Sequence, residues 1–160
     1  MTVRGVSILG STGSIGTSAL RVLSRQRDRF KVTALTGYRN AVLLAAQEDE
    51  FHPGYVGLVM NDASARGDWR RGAECLVEAS VLPDADIVLN AIVGAAGLDA
   101  TLAALNAGKR VALPNKETLV VAGALAEQAS RAGGCEIVPV DSEHSAILQC
   151  ISTRPRSEVK

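Results

Sequence analysis

An open, doubly wound α/β domain on a parallel sheet is the fold class this sequence predicts, on three observations. Apolar stretches of strand length alternate with helix-patterned stretches along almost the whole chain. That order lays parallel strands side by side through right-handed helical crossovers. Hydrophobic residues make up 47% of the 160-residue chain but aromatics only 3%, so the core is built from Ala, Val, Leu and Ile. Such a core suits a sheet covered by helices on both faces. Finally, an apolar run at residues 3–9 leads straight into Gly10-Ser11-Thr12-Gly13-Ser14-Ile15-Gly16 and then a helical pattern. Strand, glycine turn and helix in that order present backbone N–H groups to a phosphate.

Each element has its own signal. Gly10 allows a sharp exit from the first strand, Gly13 lets a pyrophosphate approach without meeting a Cβ, and Gly16 lets the helix pack close to the strand. The first helix places Ile15, Ala19, Leu20, Val22 and Leu23 on or near one face, and its N-terminus adds partial positive charge at the anion. The G-x-x-G-x-x-G spacing matches the dinucleotide fingerprint G-x-G-x-x-G only loosely, and a plain glycine-rich βα turn is the competing reading. Residues 32–35 form a second strand, and Asn40 caps a helix through Leu43, Leu44 and Ala45. Pro53-Gly54 breaks the chain before a third strand at 55–60. Residues 62–71 are polar and read as a surface helix, whereas 72–82 carry no clear pattern. Residues 83–86 turn into a strong strand at 87–90. A loop at 94–97 leads to a helix at 98–107 with Leu98, Leu102 and Leu105 inward, ended by Gly108-Lys109. A strand at 110–113 is stopped by Pro114, a helix at 119–132 contains Gly123, and a strand follows at 136–140. Asp141 or Ser142 caps a last short helix through Ile147 and Leu148. Residues 1–150 thus make one domain, and the polar stretch 151–160, with Pro155, reads as a linker.

Composition narrows the function. A formal net charge of zero makes no electrostatic case for nucleic acid or an anionic membrane. No apolar run reaches membrane-spanning length. Cys75, Cys135 and Cys150 are odd in number and share no C-x-x-C spacing, so neither a disulfide framework nor a zinc site is suggested. They read as buried free thiols of a reducing compartment. With the first strand at the very start and no secretory signal before it, the expected location is the cytoplasm.

Two clusters carry chemistry. NAD-binding folds place a carboxylate after the second strand for the ribose 2′-OH. Here Leu35-Thr36-Gly37-Tyr38-Arg39-Asn40 has no acid, and Arg39 stands where a 2′-phosphate would lie, which favours NADP. The bland alternative is a solvated loop arginine. After the last strand, Asp141 and Glu143 are separated by one residue at a strand-to-helix corner, where they can converge on a hard cation such as Mg²⁺ or Mn²⁺. Two acids at a helix start also simply satisfy its dipole. His144 fits a cap, a core position or a catalytic group equally well. Asn115-Lys116-Glu117 forms a further polar cluster at the same sheet end, with a helix cap as its plain reading.

Four motifs occur in order: the glycine turn 10–16, Ala91-Ile92-Val93-Gly94-Ala95-Ala96-Gly97, Asn115-Lys116-Glu117 and Pro139-Val140-Asp141-Ser142-Glu143-His144. Together they closely resemble the 1-deoxy-D-xylulose 5-phosphate reductoisomerases, enzymes of the non-mevalonate isoprenoid pathway, over residues 6 to about 149. The resemblance implies a Rossmann-like NADPH-binding domain. Gly10, Thr12, Gly13, Ser14, Ile15 and Gly16 would fall on the phosphate turn. Gly37, Arg39 and Asn40 would fall at the adenosine end, and Ala91, Asn115 and Glu117 on further cofactor contacts. It also implies Asp141 and Glu143 as metal ligands, Ser142 as a substrate contact, and Lys116 beside substrate and nicotinamide, with Lys116 and Glu143 as the catalytic pair. The implied reaction is NADPH-dependent conversion of 1-deoxy-D-xylulose 5-phosphate to 2-C-methyl-D-erythritol 4-phosphate, with Mg²⁺ or Mn²⁺, in a homodimer. The family has a Gly-Lys or similar pair near Tyr38-Arg39, and a small residue where Pro114 stands. Its third metal-binding glutamate, substrate-phosphate residues, lid and C-terminal helical domain are expected after Lys160, which marks the chain as the cofactor-binding portion. A stand-alone NADP-binding or regulatory module is an alternative. So is another NADP-dependent aldehyde reductase, such as a semialdehyde dehydrogenase, though no cysteine here has a nucleophile's context.

Overall fold

The computed structural model describes residues 2–114, 116–140 and 142–151, with the side chains of 116–122, 142–144 and 148 excepted. Its strands are β1 (Arg4–Leu9), β2 (Phe30–Gly37), β3 (Tyr55–Leu58), β4 (Arg70–Arg71), β5 (Ile87–Asn90), β6 (Arg110–Leu113) and β7 (Ile137–Pro139). Between and after them run α1 (Ser14–Ser24), α2 (Ala41–Phe51), α3 (Glu74–Ser80), α4 (Leu98–Asn106), α5 (Lys116–Gly133) and α6 (Ser142–Ile151). The strands form one parallel sheet in the order β4-β3-β2-β1-β5-β6-β7. Connections run outward from β1 in one direction, then return to β5 and run outward in the other. The reversal between β1 and β5 opens a crevice at the carboxyl ends of those strands, where ligands of such sheets bind.

Burial explains why the central strands read as continuous apolar runs. In β1 every residue from Gly5 to Leu9 is buried, because both faces of the sheet are covered. Val6 and Ile8 pack with Val32, Leu35, Leu44 and Leu58 on one face. Leu9 packs with Ala34, Leu76, Val88, Leu105 and Val111 on the other. Ser7 shares the Leu9 face and is satisfied there, its Oγ donating to the Ala79 carbonyl at 2.8 Å.

The structure corrects several local expectations. Residues 62–71 are not a helix. They turn at Asp62, whose Oδ1 accepts from Ser64 N at 2.7 Å, and end in the short strand β4. Tertiary contacts decide this. Trp69 is buried and donates its Nε1 hydrogen to Glu48 at 3.0 Å, while Arg66 bridges Glu48 and Asp49 of α2. The unreadable stretch 72–82 contains α3, which buries Cys75, Leu76, Ala79 and Ser80. β2 runs longer than expected, while β3 and β7 are shorter. Residues 94–97 form a single 3₁₀ turn. α1 buries Gly16 and Leu20, with Ala19 and Leu23 beside them, and leaves Ile15 and Val22 exposed. In α4 the inward positions are Ala100, Thr101, Ala104 and Leu105, with Leu98 and Leu102 half-buried, because small residues let α4 lie close to its neighbours. Of the three thiols only Cys75 is buried; Cys135 is half-buried and Cys150 exposed. Among the described residues no helix is long and apolar enough to cross a membrane.

Candidate functional site

The glycine turn after β1 closes as its residue types require. Gly10 adopts φ +80°, a left-handed conformation that favours glycine. Its carbonyl accepts from Gly13 N at 3.1 Å, which tightens the turn, and Gly13 takes the N-cap position of α1. No side chain caps that helix start. The first-turn amides of an α-helix have no intrahelical partner, and no side chain takes them here. A Cβ on Gly16 would stand 2.5 Å from both the Gly10 oxygen and the Ser11 Cα, so that position packs the helix onto the turn. A Cβ on Gly13 would meet only the Gly10 oxygen, at 3.4 Å, so nothing in the fold itself demands glycine there.

The turn opens on a cavity of about 750 Å³ that lies across the reversal of strand order. Gly10, Thr12 and Gly13 line its floor, and Gly37, Arg39 and Asn40 line the side after β2. Ala91 lines the side after β5. Asn40 caps α2 as expected, its Oδ1 accepting from Leu43 N at 3.0 Å. Arg39 is exposed, and among the described residues it forms no ion pair. Ser14, Ile15 and Gly16 do not line the cavity. Gly16 lies behind the turn, Ile15 faces outward, and Ser14 begins α1.

Sequence reasoning missed much of the apolar lining. Val59 after β3 and Leu76 of α3 belong to it, as do Ile92, Val93 and Ala96 after β5. The last three lie inside the Ala91-to-Gly97 motif and could have been read from it; Val59 and Leu76 had no local signal. Asn90 was also missed as a functional support. Buried at the end of β5, it donates through Nδ2 to the Gly97 carbonyl at 2.8 Å and to Thr101 Oγ1 at 2.7 Å. Its Oδ1 accepts from Ile92 N at 3.2 Å. One amide thus ties the loop that walls the cavity at both its ends, at Ile92 and at Gly97. Behind the wall, burial pushes the Cys75 thiol up to about 11, with Glu78 and Glu74 adding to the effect, so it is a neutral packing group.

The second cluster is placed only at the level of the backbone. Lys116 and Glu117 open α5 directly after β6, and Ser142 and Glu143 open α6 after β7. Leu113 pairs with Pro139, so both helices start side by side at the carboxyl edge of the sheet, the edge that carries the cavity. Asn115 and Asp141, and the side chains of Lys116, Glu117, Ser142 and Glu143, lie outside what the structure describes. Among the described residues no group of three or more His, Cys, Asp and Glu is arranged to hold a metal.

A crevice at the reversal of a parallel sheet, floored by an uncapped glycine turn, is shared by many nucleotide-binding proteins, so comparison decides the family. Residues 6–123 match the model of 1-deoxy-D-xylulose 5-phosphate reductoisomerase. The chain belongs to that family. The reductoisomerase of Oleidesulfovibrio alaskensis is 44% identical over 98% of this chain and 41% of its own length. Among solved structures, the reductoisomerase from Zymomonas mobilis in complex with NADPH superposes with a TM-score of 0.87 at 42% identity, covering 98% of this chain and 42% of that one. A reductoisomerase in complex with NADPH, fosmidomycin and magnesium gives a TM-score of 0.87 at 40% identity, covering 97% of this chain and 40% of that one. The chain therefore spans about two fifths of the length of the reductoisomerases it matches.

Proposed function

We propose that this chain is the NADPH-binding portion of a 1-deoxy-D-xylulose 5-phosphate reductoisomerase, with its domain over residues 1–150. The observation that carries the reading is the cavity floored by Gly10, Thr12 and Gly13 and flanked by Arg39, in a chain of this family. Its residues suit the cofactor. The open space at Gly13 and the uncapped start of α1 suit a pyrophosphate, and the exposed, unpaired guanidinium of Arg39 suits a 2′-phosphate. The apolar wall at Ala91, Ile92 and Val93 excludes water along the rest of the cofactor. Bound NADPH supplies the hydride.

In the complete reaction, the sugar-phosphate substrate would meet the cofactor at the edge where α5 and α6 begin. Lys116 would position substrate charge, Ser142 would contact the substrate, and Asp141 with Glu143 would hold a divalent cation that polarises the carbonyl. Two carboxylates separated by one residue are a hard-oxygen donor set suited to Mg²⁺ or Mn²⁺. Glu143 would share the catalytic role with Lys116, Asn115 and Glu117 would complete the cofactor contacts, and the working enzyme would be a homodimer.

Calorimetric titration with NADPH and NADH tests the reading. NADPH is expected to bind about tenfold or more tightly, the equivalent of roughly 1.5–3 kcal/mol for a charge-assisted phosphate contact. Equal affinities, or tighter NADH, would refute it.

A further inference from the structure

The phosphate turn is held by a side chain that belongs neither to the glycine motif nor to the cavity wall. Gln47 sits on the inner face of α2, and both it and Ser11 are buried. Its Oε1 accepts from the Ser11 Oγ at 2.7 Å, and its Nε2 donates to the Ser11 carbonyl at 3.0 Å. The opposite amide orientation would set two oxygens against each other. From the other side, Thr36 of β2 accepts from Ser11 N at 2.8 Å through its carbonyl and from Gly10 N at 3.2 Å through its Oγ1. Ser11 is thus tied into the interior at its amide, its carbonyl and its hydroxyl.

The consequence falls one residue on. The carbonyl of Ser11 and the N–H of Thr12 belong to the same planar peptide and point in opposite directions. Drawing the carbonyl inward turns the N–H outward, on a residue that lines the cavity. No described backbone carbonyl accepts from that N–H.

We propose that Gln47 is a positioning residue for the cofactor's pyrophosphate: by holding the Ser11 carbonyl in the interior, it keeps the Thr12 N–H aimed into the cavity. The proposal rests on the cavity being the cofactor site. Without the Gln47 donor the carbonyl is buried and unpaired, the peptide turns to relieve it, and the N–H is lost to the ligand. The adenosine end does not share this dependence. Asn40 makes its own cap with Leu43, and Arg39 precedes α2.

The experiment compares the unsubstituted chain with Gln47→Met, similar in size but without donor or amide acceptor. Three ligands are titrated: NADPH, inorganic pyrophosphate and adenosine 2′-monophosphate. The expected result is about tenfold weaker binding of NADPH and of pyrophosphate, with adenosine 2′-monophosphate within twofold. A merely structural role would weaken all three alike, and no role would weaken none; either result overturns the proposal. Should Gln47→Met fail to fold, Gln47→Glu keeps the size and an acceptor, loses the amide donor, and is expected to show the same split. An unsubstituted chain that binds pyrophosphate but not NADPH would refute the proposed function and leave the Gln47 comparison decisive. A chain that binds neither would overturn both.

Discussion

Two loops face each other across the cavity, and both follow the same plan of apolar strand, glycine loop and helix. They differ in what holds them. The turn after β1 is fixed by distant segments: Thr36 of β2 and Gln47 of α2 lie 25 and 36 positions along the chain from Ser11. The loop after β5 is shaped largely by Asn90, which bonds Ile92, Gly97 and Thr101 at separations of 2, 7 and 11 residues, while Ala91 N ties its start to the Leu9 carbonyl of β1 at 2.9 Å. They also differ in what they present. The first lines the cavity with Gly10, Thr12 and Gly13; the second lines it with Ala91, Ile92 and Val93. Of the first turn's donors, Gly10 N and Ser11 N go to Thr36 and Gly13 N goes to the Gly10 carbonyl, which leaves Thr12 N as the one the Gln47 proposal assigns to a ligand.

The largest expected effect falls on the first loop. Gly16→Val should destabilise the chain by about 3 kcal/mol, since even its Cβ would stand 2.5 Å from backbone atoms of Gly10 and Ser11. Chemical denaturation measures this, and a loss below about 1 kcal/mol would show that the packing of α1 on the turn is slack. Asn90→Leu comes next, at about 2–3 kcal/mol, because it strands the Gly97 carbonyl and the Thr101 hydroxyl in the interior. If that variant unfolds at the same denaturant midpoint as the unsubstituted chain, the second loop does not depend on Asn90.

Binding variants sharpen the contrast between turn and wall. Arg39→Ala should weaken NADPH about tenfold and leave NADH unchanged, as read by calorimetry. Loss of both cofactors alike would remove Arg39 from the 2′-phosphate. Gly13→Val should lower cofactor affinity by a similar factor, with a stability change under about 1 kcal/mol, because the fold leaves that Cβ position open. A large stability loss with unchanged affinity would make Gly13 a structural residue only. The smallest effect belongs to the wall: Val93 is 85% exposed, so Val93→Ser should shift stability by less than about 0.5 kcal/mol. A larger shift would mean the side chain is covered in solution.

By itself the sequence determined what depends on neighbours along the chain. The alternation of elements, the glycine exit after β1, the Asn40 cap and the strand at 87–90 all follow from residues within a few positions of one another. The residues also singled out Asp141 with Glu143 and the cluster 115–117, and the resemblance assigned roles to these and to Ser142; the structure does not describe their side chains. Only the tertiary structure decided what depends on partners far along the chain. Polarity made 62–71 read as a surface helix, but a buried Trp69 bonded to Glu48 pulled that segment onto α2 as turn and strand. The stretch 72–82 looked patternless because α3 buries residues that include a cysteine, an alanine and a serine, and Ser80 is satisfied there by donating to the Val77 carbonyl. Nothing in the sequence singled out Gln47, whose amide braces the glycine turn through Ser11. A buried hydrogen bond needs its partner at the right distance and angle, and that geometry exists only once the sheet has brought the two segments together.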